Sequence, residues 1–453
     1  MHLRHQLLLV SLAAALPLAA QTPATTAIAH VSVVDAVTGR VVPDQTVLIE
    51  GRRIASVGPA KQVVVPAKAS VVDGSGKFLI PGLWDMHVHL SVPGGEALIP
   101  LYAVNGVTGV RDMNDSFPEV VAWRTKIAAG ELVGPRIVAA GPYLVGQAPP
   151  LPHILVQTAE QGRAGVDSLK RLGVDFVKVH NEIPREGYFA IAKRVKELGW
   201  VYAGHVPRGV TVAEAADAGQ RSLEHLTGFP NPCTAAEAAS IHPTGLVTFL
   251  MGACTEQSLA PTIERLKANG TWITPTLTVD RILALPPEAL ANDSAYRYRG
   301  EGLRRLQTVV MHIPPMTPEA TTAARFLFGK REAVVKQLAE AGVPLLVGTD
   351  SPTPGAFPGF SIHDELELLV EAGVSPAQAL RSATWEPARY FAVTDSLGTV
   401  KAGNLADLVL LEANPLADIG ATRRIAAVWT SGRLIDQNER RRLLERAEAA
   451  AKQ

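Results

Sequence analysis

Pro81-Gly82-Leu83-Trp84-Asp85-Met86-His87-Val88-His89 is the stretch on which the fold turns. Its apolar residues suit a buried strand, and successive side chains of a strand point to opposite faces. His87 and His89 therefore project to the same side, where both imidazoles can meet one metal ion. A single histidine is most often a packed or exposed residue. Two at this spacing on an apolar strand are a stronger signal.

Similar apolar runs recur on either side of helical patterns, near 107–113, 136–141, 174–180, 201–205, 222–226, 272–277 and 345–350. Between Tyr188 and Leu198, for example, Ile191, Val195 and Leu198 return at helical spacing while Lys193, Lys196 and Glu197 face away. Strands alternating with helices argue for parallel βα units, and eight such units for a closed barrel. The sequence thus predicts an α/β fold with a (β/α)8 TIM barrel over 81–395. One connection, 280–317, is far too long for a barrel loop. Pro286-Pro287 and Pro314-Pro315 bracket a helical-looking piece there, which predicts a lid-like insertion over the mouth.

The two ends read differently from this middle. Ala29, Val31 and Val33 alternate with polar neighbours, Val47 and Ile49 share one side of a second run, and Gly51-Arg52-Arg53 makes a turn. Near the other end come Asp407-Leu408-Val409-Leu410-Leu411, Ile425-Ala426-Ala427-Val428-Trp429 and a turn at Ser431-Gly432. A small β-sandwich domain built from both chain ends, 26–80 and 396–440, is the expectation.

Composition narrows the function classes. Among 453 residues, 43 Lys+Arg balance 43 Asp+Glu and only 19% are charged, which argues against a nucleic-acid binder. Two cysteines cannot make a disulfide scaffold or a cysteine-built zinc module. Residues 1–20 carry a short polar or basic start, an apolar run from Leu7 to Leu18 and the small pair Ala19-Ala20, the order of a secretory signal peptide. A secreted or periplasmic protein with no stable membrane anchor after cleavage is expected. In an oxidising compartment Cys233 and Cys254 pair or stay as two buried thiols; both readings stand. Homo-oligomeric assembly is left open.

Other polar residues gather at predicted strand ends, where a parallel barrel places its active site. Lys178 ends an apolar run and His180 follows on the same face; a lysine near a barrel centre is costly unless paired or chemically altered. His205 lies in Tyr202-Ala203-Gly204-His205, His225 in Ser222-Leu223-Glu224-His225, and Asp350 in Val347-Gly348-Thr349-Asp350-Ser351. Each alone could be structural; the constellation is harder to explain that way. Arg111-Asp112 reads as a buried ion pair near the mouth. His30, His242, His312 and His363 lack a strand-end context and default to surface or helix positions.

Together these motifs resemble the amidohydrolase superfamily, in its imidazolonepropionase-like and prolidase-like branch of exported hydrolases. The stretch 81–89 is similar to the first-strand signature of that family. Leu397-Gly398-Thr399-Val400-Lys401-Ala402-Gly403-Asn404-Leu405-Ala406-Asp407-Leu408-Val409 is similar to its return into the sandwich. The resemblance, over roughly His30 to Asp436, implies two divalent metal ions; zinc suits the histidine-rich donor set, and the carboxylate and carbamate oxygens leave manganese or cobalt open. One would be held by His87, His89 and Asp350, the other by His205 and His225, with carbamylated Lys178 bridging both. A hydroxide shared by the metals would attack a carbonyl, and Asp350 would carry its proton to the leaving amine. The implied activity is hydrolysis of amide bonds, peptide or N-acyl amino acid, in small molecules or short peptides. The alternative is cleavage of a cyclic amide, lactone or ester with one or two metals. Two departures bear on the substrate. Gly141-Pro142-Tyr143-Leu144-Val145-Gly146 and Leu226-Thr227-Gly228-Phe229 stand where the peptidase branch often has a Gly-Gly-His element and a tyrosine. Tyr143, His153 and His180 are the candidate substrate-binding replacements. A binding protein without catalysis would be expected to have lost ligands, and every expected ligand type is present.

Overall fold

Strands from the two ends of the chain meet in one sheet. The structure is a computed structural model and describes residues 25–240, 247, 251–252, 254–285, 293–309 and 316–453. The expected leader, His242, His312 and both proline pairs of the expected lid lie outside the described residues. Eight strands build the sheet, in the order Arg433–Ile435, Ile425–Thr430, Leu408–Leu411, Phe78–Pro81, Thr25–Asp35, Arg40–Glu50 and Arg53–Pro59, with Ser70–Asp73 also against Thr25–Asp35. Leu410 lies opposite Leu79 in the antiparallel join between tail and head. Hydrogen bonding runs continuously through strands from both chain ends.

The reason these strands read as unbroken apolar runs is that both faces are covered. Leu79, Leu408, Leu410 and Trp429 pack with Ile28, Val47 and Ile49 in a cluster belonging to the sheet. Their immediate neighbours Ile80, Val409, Leu411 and Val428 turn the other way into the main core. Burying each large apolar side chain contributes about 1.5–3 kcal/mol, so this two-sided strand set welds the ends to the middle.

The middle is α/β with parallel sheets. Leu83–Val88, Val107–Asp112 and Arg136–Ala139 form one parallel sheet of three strands. His153–Leu155, Tyr143–Val145, Val177–Val179, Tyr202–Gly204, Ser222–Glu224 and Trp272–Thr274 form a second, of six. Seven of the eight expected strands are thus present, and the eighth, 345–350, is an irregular segment flanked by parallel bridges at Leu345 and Ser351. Strand pairing therefore gives two sheets and not one closed ring. Backbone bonds span both gaps: Asp175 N donates to Ala139 O at 2.9 Å on one side. On the other, Leu346 N donates to Ile273 O and Met86 N to Val347 O, each at 2.8 Å. The helix Arg185–Glu197 behaves as its pattern predicts, with Ile191 and Val195 buried and Lys193 exposed.

Cys233 and Cys254 are joined in a disulfide with Cα atoms 5.5 Å apart, closing a separation of 21 residues. A loop of that size stabilises by about 3 kcal/mol through chain entropy. His30 is exposed and bonded to Asp44, while His363 sits buried on the helix Ser361–Glu371, bonded to Thr422. Among the described residues, no helix is long and apolar enough to cross a membrane.

Close approach of the last segment to the first strand needs a glycine. A Cβ on Gly348 would meet Thr274 Cγ2 at 2.5 Å and His87 Cβ at 2.9 Å. Gly348→Ala is therefore expected to cost about 1–3 kcal/mol in chemical denaturation, as overpacking does; an unchanged midpoint would show that this seam gives way freely.

Candidate metal centre

The expected ligands lie in, or just past, parallel strands and the irregular segment beside them. His87 lies in Leu83–Val88 with His89 just past it, and Lys178 lies in Val177–Val179 with His180 just past it. His205 follows Tyr202–Gly204, His225 follows Ser222–Glu224, and Asp350 closes the irregular last segment. They converge on one cavity of about 200 Å³. Ligand atoms of His87, His89 and Asp350 lie within 4.8 Å of one another, a His-His-Asp group that can hold a metal ion. Asp350 Oδ1 stands 3.2 Å from His87 Nε2 and 3.1 Å from His89 Nε2. The imidazoles continue as a chain: His87 to His225 is 4.4 Å between ring centres, His225 to His205 is 4.7 Å, and His205 to His180 is 4.1 Å.

What orients these rings is the other nitrogen. His87 Nδ1 faces Glu224 Oε2 at 3.0 Å and His89 Nδ1 faces the Asn114 carbonyl at 3.3 Å. His205 Nδ1 faces Asn181 Oδ1 at 2.9 Å, and His225 Nδ1 faces Thr276 Oγ1 at 2.7 Å. The Thr276 hydroxyl gives its own hydrogen to Pro275 O at 2.7 Å, so it accepts from His225. All four partners are acceptors, which places a proton on Nδ1 and leaves Nε2 of His205 and His225 with a lone pair aimed away from it, while Nε2 of His87 and His89 faces the Asp350 carboxylate. Metal-binding histidines are oriented in this way. The donor set therefore fits a divalent cation.

Electrostatics point the same way. Burial, with Lys178 next, holds the His87 imidazole well below its ordinary value. Burial likewise takes His225 to about 4 and His180 to about 3. Burial opposes charge on His89 too, but the Asp350 carboxylate outweighs it and lifts His89. Asp350 itself is disfavoured as an anion by burial, yet His225, His89 and Lys178 win and keep it ionised. Burial lowers the Lys178 amine to about 8. Among the described residues no carboxylate lies within ion-pair distance of Lys178.

The expected Arg111–Asp112 pair is not formed. Adjacent strand residues point to opposite faces, so the two cannot meet. Arg111, without exposure, donates Nη2 to both Glu224 oxygens at 2.9 Å, and Nη1 to Ser222 Oγ at 2.8 Å and to Tyr390 Oη at 2.9 Å. Asp112 lies on the other side with Asp115, and burial pushes its carboxyl well up. Of the candidate substrate residues, Tyr143 and His180 line the cavity with ring centres 4.9 Å apart. His153 does not line it; its Nδ1 faces Leu151 O at 2.8 Å. A roomier cleft of about 460 Å³ holds none of the histidines. Three of its four arginines face carboxylates, Arg124 that of Asp175, Arg136 that of Asp407 and Arg433 that of Glu439, and the fourth, Arg52, bonds Ser431.

Sequence reasoning gave no role to Asp85 or Glu224, both fully buried. Asp85 accepts Thr349 N at 3.0 Å and the Thr349 hydroxyl at 2.7 Å, tying the first strand to the last segment. Burial raises its carboxyl to about 7 against those bonds. A signal existed: an acid inside an apolar strand is too costly to bury without partners.

The amidohydrolase family matches residues 78–435. The chain belongs to the amidohydrolase family. Among relatives, the imidazolonepropionase of Geobacillus kaustophilus (strain HTA426) is 24% identical over 396 residues, covering 82% of this chain and 84% of that protein. The structure of bottromycin amidohydrolase superposes with a TM-score of 0.73 at 24% identity, over 94% of this chain and 91% of that one. A Xaa-Pro dipeptidase with bound methionine in the active site gives 0.68 at 21% identity, over 91% and 100%. Both structures share the fold of this amidohydrolase.

Removing Glu224 from this amidohydrolase leaves Arg111 buried without its carboxylate. Glu224→Ala is expected to lower the unfolding free energy by about 3–5 kcal/mol in denaturant melts. A loss no larger than that of Glu301→Ala, from the exposed pair with Arg304, would mean the pair is not the anchor its burial suggests.

Proposed function

We propose that this chain is an exported, metal-dependent hydrolase of amide bonds in small substrates, peptide or N-acyl amino acid. The observation carrying the reading is the set of four imidazoles whose Nδ1 atoms are held by acceptors, around Asp350 and an unpaired buried lysine. His87, His89 and Asp350 would hold one ion and His205 and His225 a second. Zinc suits that donor set. Lys178 would bridge them as a carbamate: its neutral amine adds to carbon dioxide and releases a proton, turning a costly buried cation into an anion. Burial already eases loss of the ammonium proton. The two parallel sheets, bridged by backbone bonds at both gaps, are read as the eight-stranded barrel whose C-terminal face carries such sites.

Bound divalent ions would supply Lewis-acid polarisation of a carbonyl and a lowered pKa for water. The chain's own groups supply the rest. Asp350, an anion in the site, accepts the proton of the attacking water and returns it to the departing nitrogen. Tyr143 and His180 stay uncharged near neutrality, since burial lifts Tyr143 to about 12 and drops His180 to about 3, so they offer hydrogen bonds and ring surface to the substrate. Val92, Pro93, Met113, Leu151 and Leu306 give the cavity an apolar wall. That wall, with the imidazolonepropionase relative, favours a cyclic amide, lactone or ester as the second reading. The leader-like residues 1–20 and the Cys233–Cys254 disulfide support export to an oxidising compartment.

Metal content per chain after zinc loading, with a mass test for carbon dioxide on Lys178, tests this directly. Two ions and a modified lysine are expected, with turnover of dipeptides or N-acyl amino acids lost on chelation and restored by metal. One ion with an unmodified lysine would favour the cyclic-amide reading. No ion after loading would end the hydrolase assignment.

A further inference from the structure

Two buried groups outside the cavity converge on His225 from opposite sides. His225 and Leu226 have φ of 59° and 50°, the left-handed region that is costly for a residue with a Cβ. Arg331, on the helix Pro318–Glu340 and 2% exposed, donates Nη1 to the carbonyls of both, at 2.9 and 3.0 Å. Its charge faces Asp280 at 3.9 Å, on the helix Leu277–Ala284. Just before that helix stands Thr276, itself at φ 52°, whose hydroxyl oxygen accepts from His225 Nδ1. The following amides of Leu277 and Thr278 donate to the fully buried Glu365 at 2.9 and 2.8 Å. The imidazole is thus fixed at its ring by one buried arm and at its backbone by another.

We propose that Arg331 is a positioning residue for His225, holding the left-handed turn that aims Nε2 into the cavity. Arg331 does not line the cavity, so it acts only through the residue it holds. Both carbonyls accept from the one nitrogen Nη1, whose two hydrogens lie fixed in the guanidinium plane, where an ammonium on a flexible stem has no such fixed direction. The inference rests on reading His225 as a metal ligand.

Cobalt titration of the full chain, followed by visible absorption and alongside thermal melts, tests it. Arg331→Met combined with Asp280→Asn removes both charges, so that Asp280 is not stranded. That variant is expected to weaken one of two cobalt affinities by about ten-fold or more and to change its absorption band, with the other site unchanged. Arg331→Lys, which keeps the charge opposite Asp280 without the fork, is expected to weaken the same site less, and it carries the test alone if the double variant does not fold. Wild-type affinities and spectrum in the variant that folds overturn the proposal, whatever the melting temperature. His225→Asn in the same titration separates the two ideas. It is expected to abolish one cobalt step, and retention of both would mean His225 is no ligand, so that the reading beneath the proposal fails first.

Discussion

The carboxylate of Glu224, without exposure to solvent, accepts the Nη2 hydrogens of Arg111 at 2.9 Å and faces His87 Nδ1 at 3.0 Å. An isolated ion at this depth would be heavily penalised, so each partner is a condition of the other's burial. Arg111 in turn reaches Met86 O at 2.6 Å, Ser222 and Tyr390. One ion pair therefore ties the strands Leu83–Val88, Val107–Asp112 and Ser222–Glu224 to each other and to the helix Trp385–Tyr390. It also sets the tautomer of the first ligand. Core and site are joined at this point: the group that neutralises the arginine is the group that turns His87 Nε2 inward.

A second constraint is backbone conformation. His225, Thr276 and Asp350 all have positive φ without being glycine, each on the order of 1–3 kcal/mol above a relaxed conformation. Such strain persists only where the surroundings over-determine it. Here Arg331 and Glu365 act on the first two, while at Asp350 the amide donates to His87 O at 2.8 Å. Residues that leave the extended conformation where a strand ends can turn their side chains across the strand ends instead of alternating between the two faces of a sheet. That is the geometric gain for which the strain is tolerated.

How much of this was legible follows from which physics the sequence encodes locally. Strand alternation put His87 and His89 on one face, and the same rule, applied to Arg111 and Asp112, forbids the pair that adjacency suggested. Glu224 is 113 residues from Arg111 and 137 from His87, so no local pattern announces it; only the cost of an acid within an apolar run hints that it needs partners. The left-handed residues were invisible because none is a glycine. The helix Pro318–Glu340 begins where the expected insertion ends, with Thr317 accepting the Ala320 amide. Nothing in the pattern of that helix distinguished Arg331 from its solvated lysines and arginines, since burial of an arginine depends on what the rest of the chain brings to it. His153 stood as a candidate replacement for the substrate-binding elements this chain lacks, and its own neighbouring carbonyl at Leu151 takes its ring nitrogen instead.

The His-His-Asp group draws its members from the two sides of a seam that strand pairing alone does not close. His87 and His89 belong to the three-stranded sheet, Asp350 to the irregular segment beyond the six-stranded one. What holds the seam is a short set of bonds: Met86 N to Val347 O, Asp350 N to His87 O, His89 N to Ser351 O, and the Asp85 carboxylate on Thr349. Asp85 is the weak member, because burial raises its carboxyl to about 7 and each bond it accepts works against that cost. A cation shared by His87, His89 and Asp350 would pull on both sides at once. Because it would bind the joined seam and not the parted one, it would stabilise the seam by mass action. The glycine at 348, which lets the segment approach His87 so closely, serves both the seam and the ligand group.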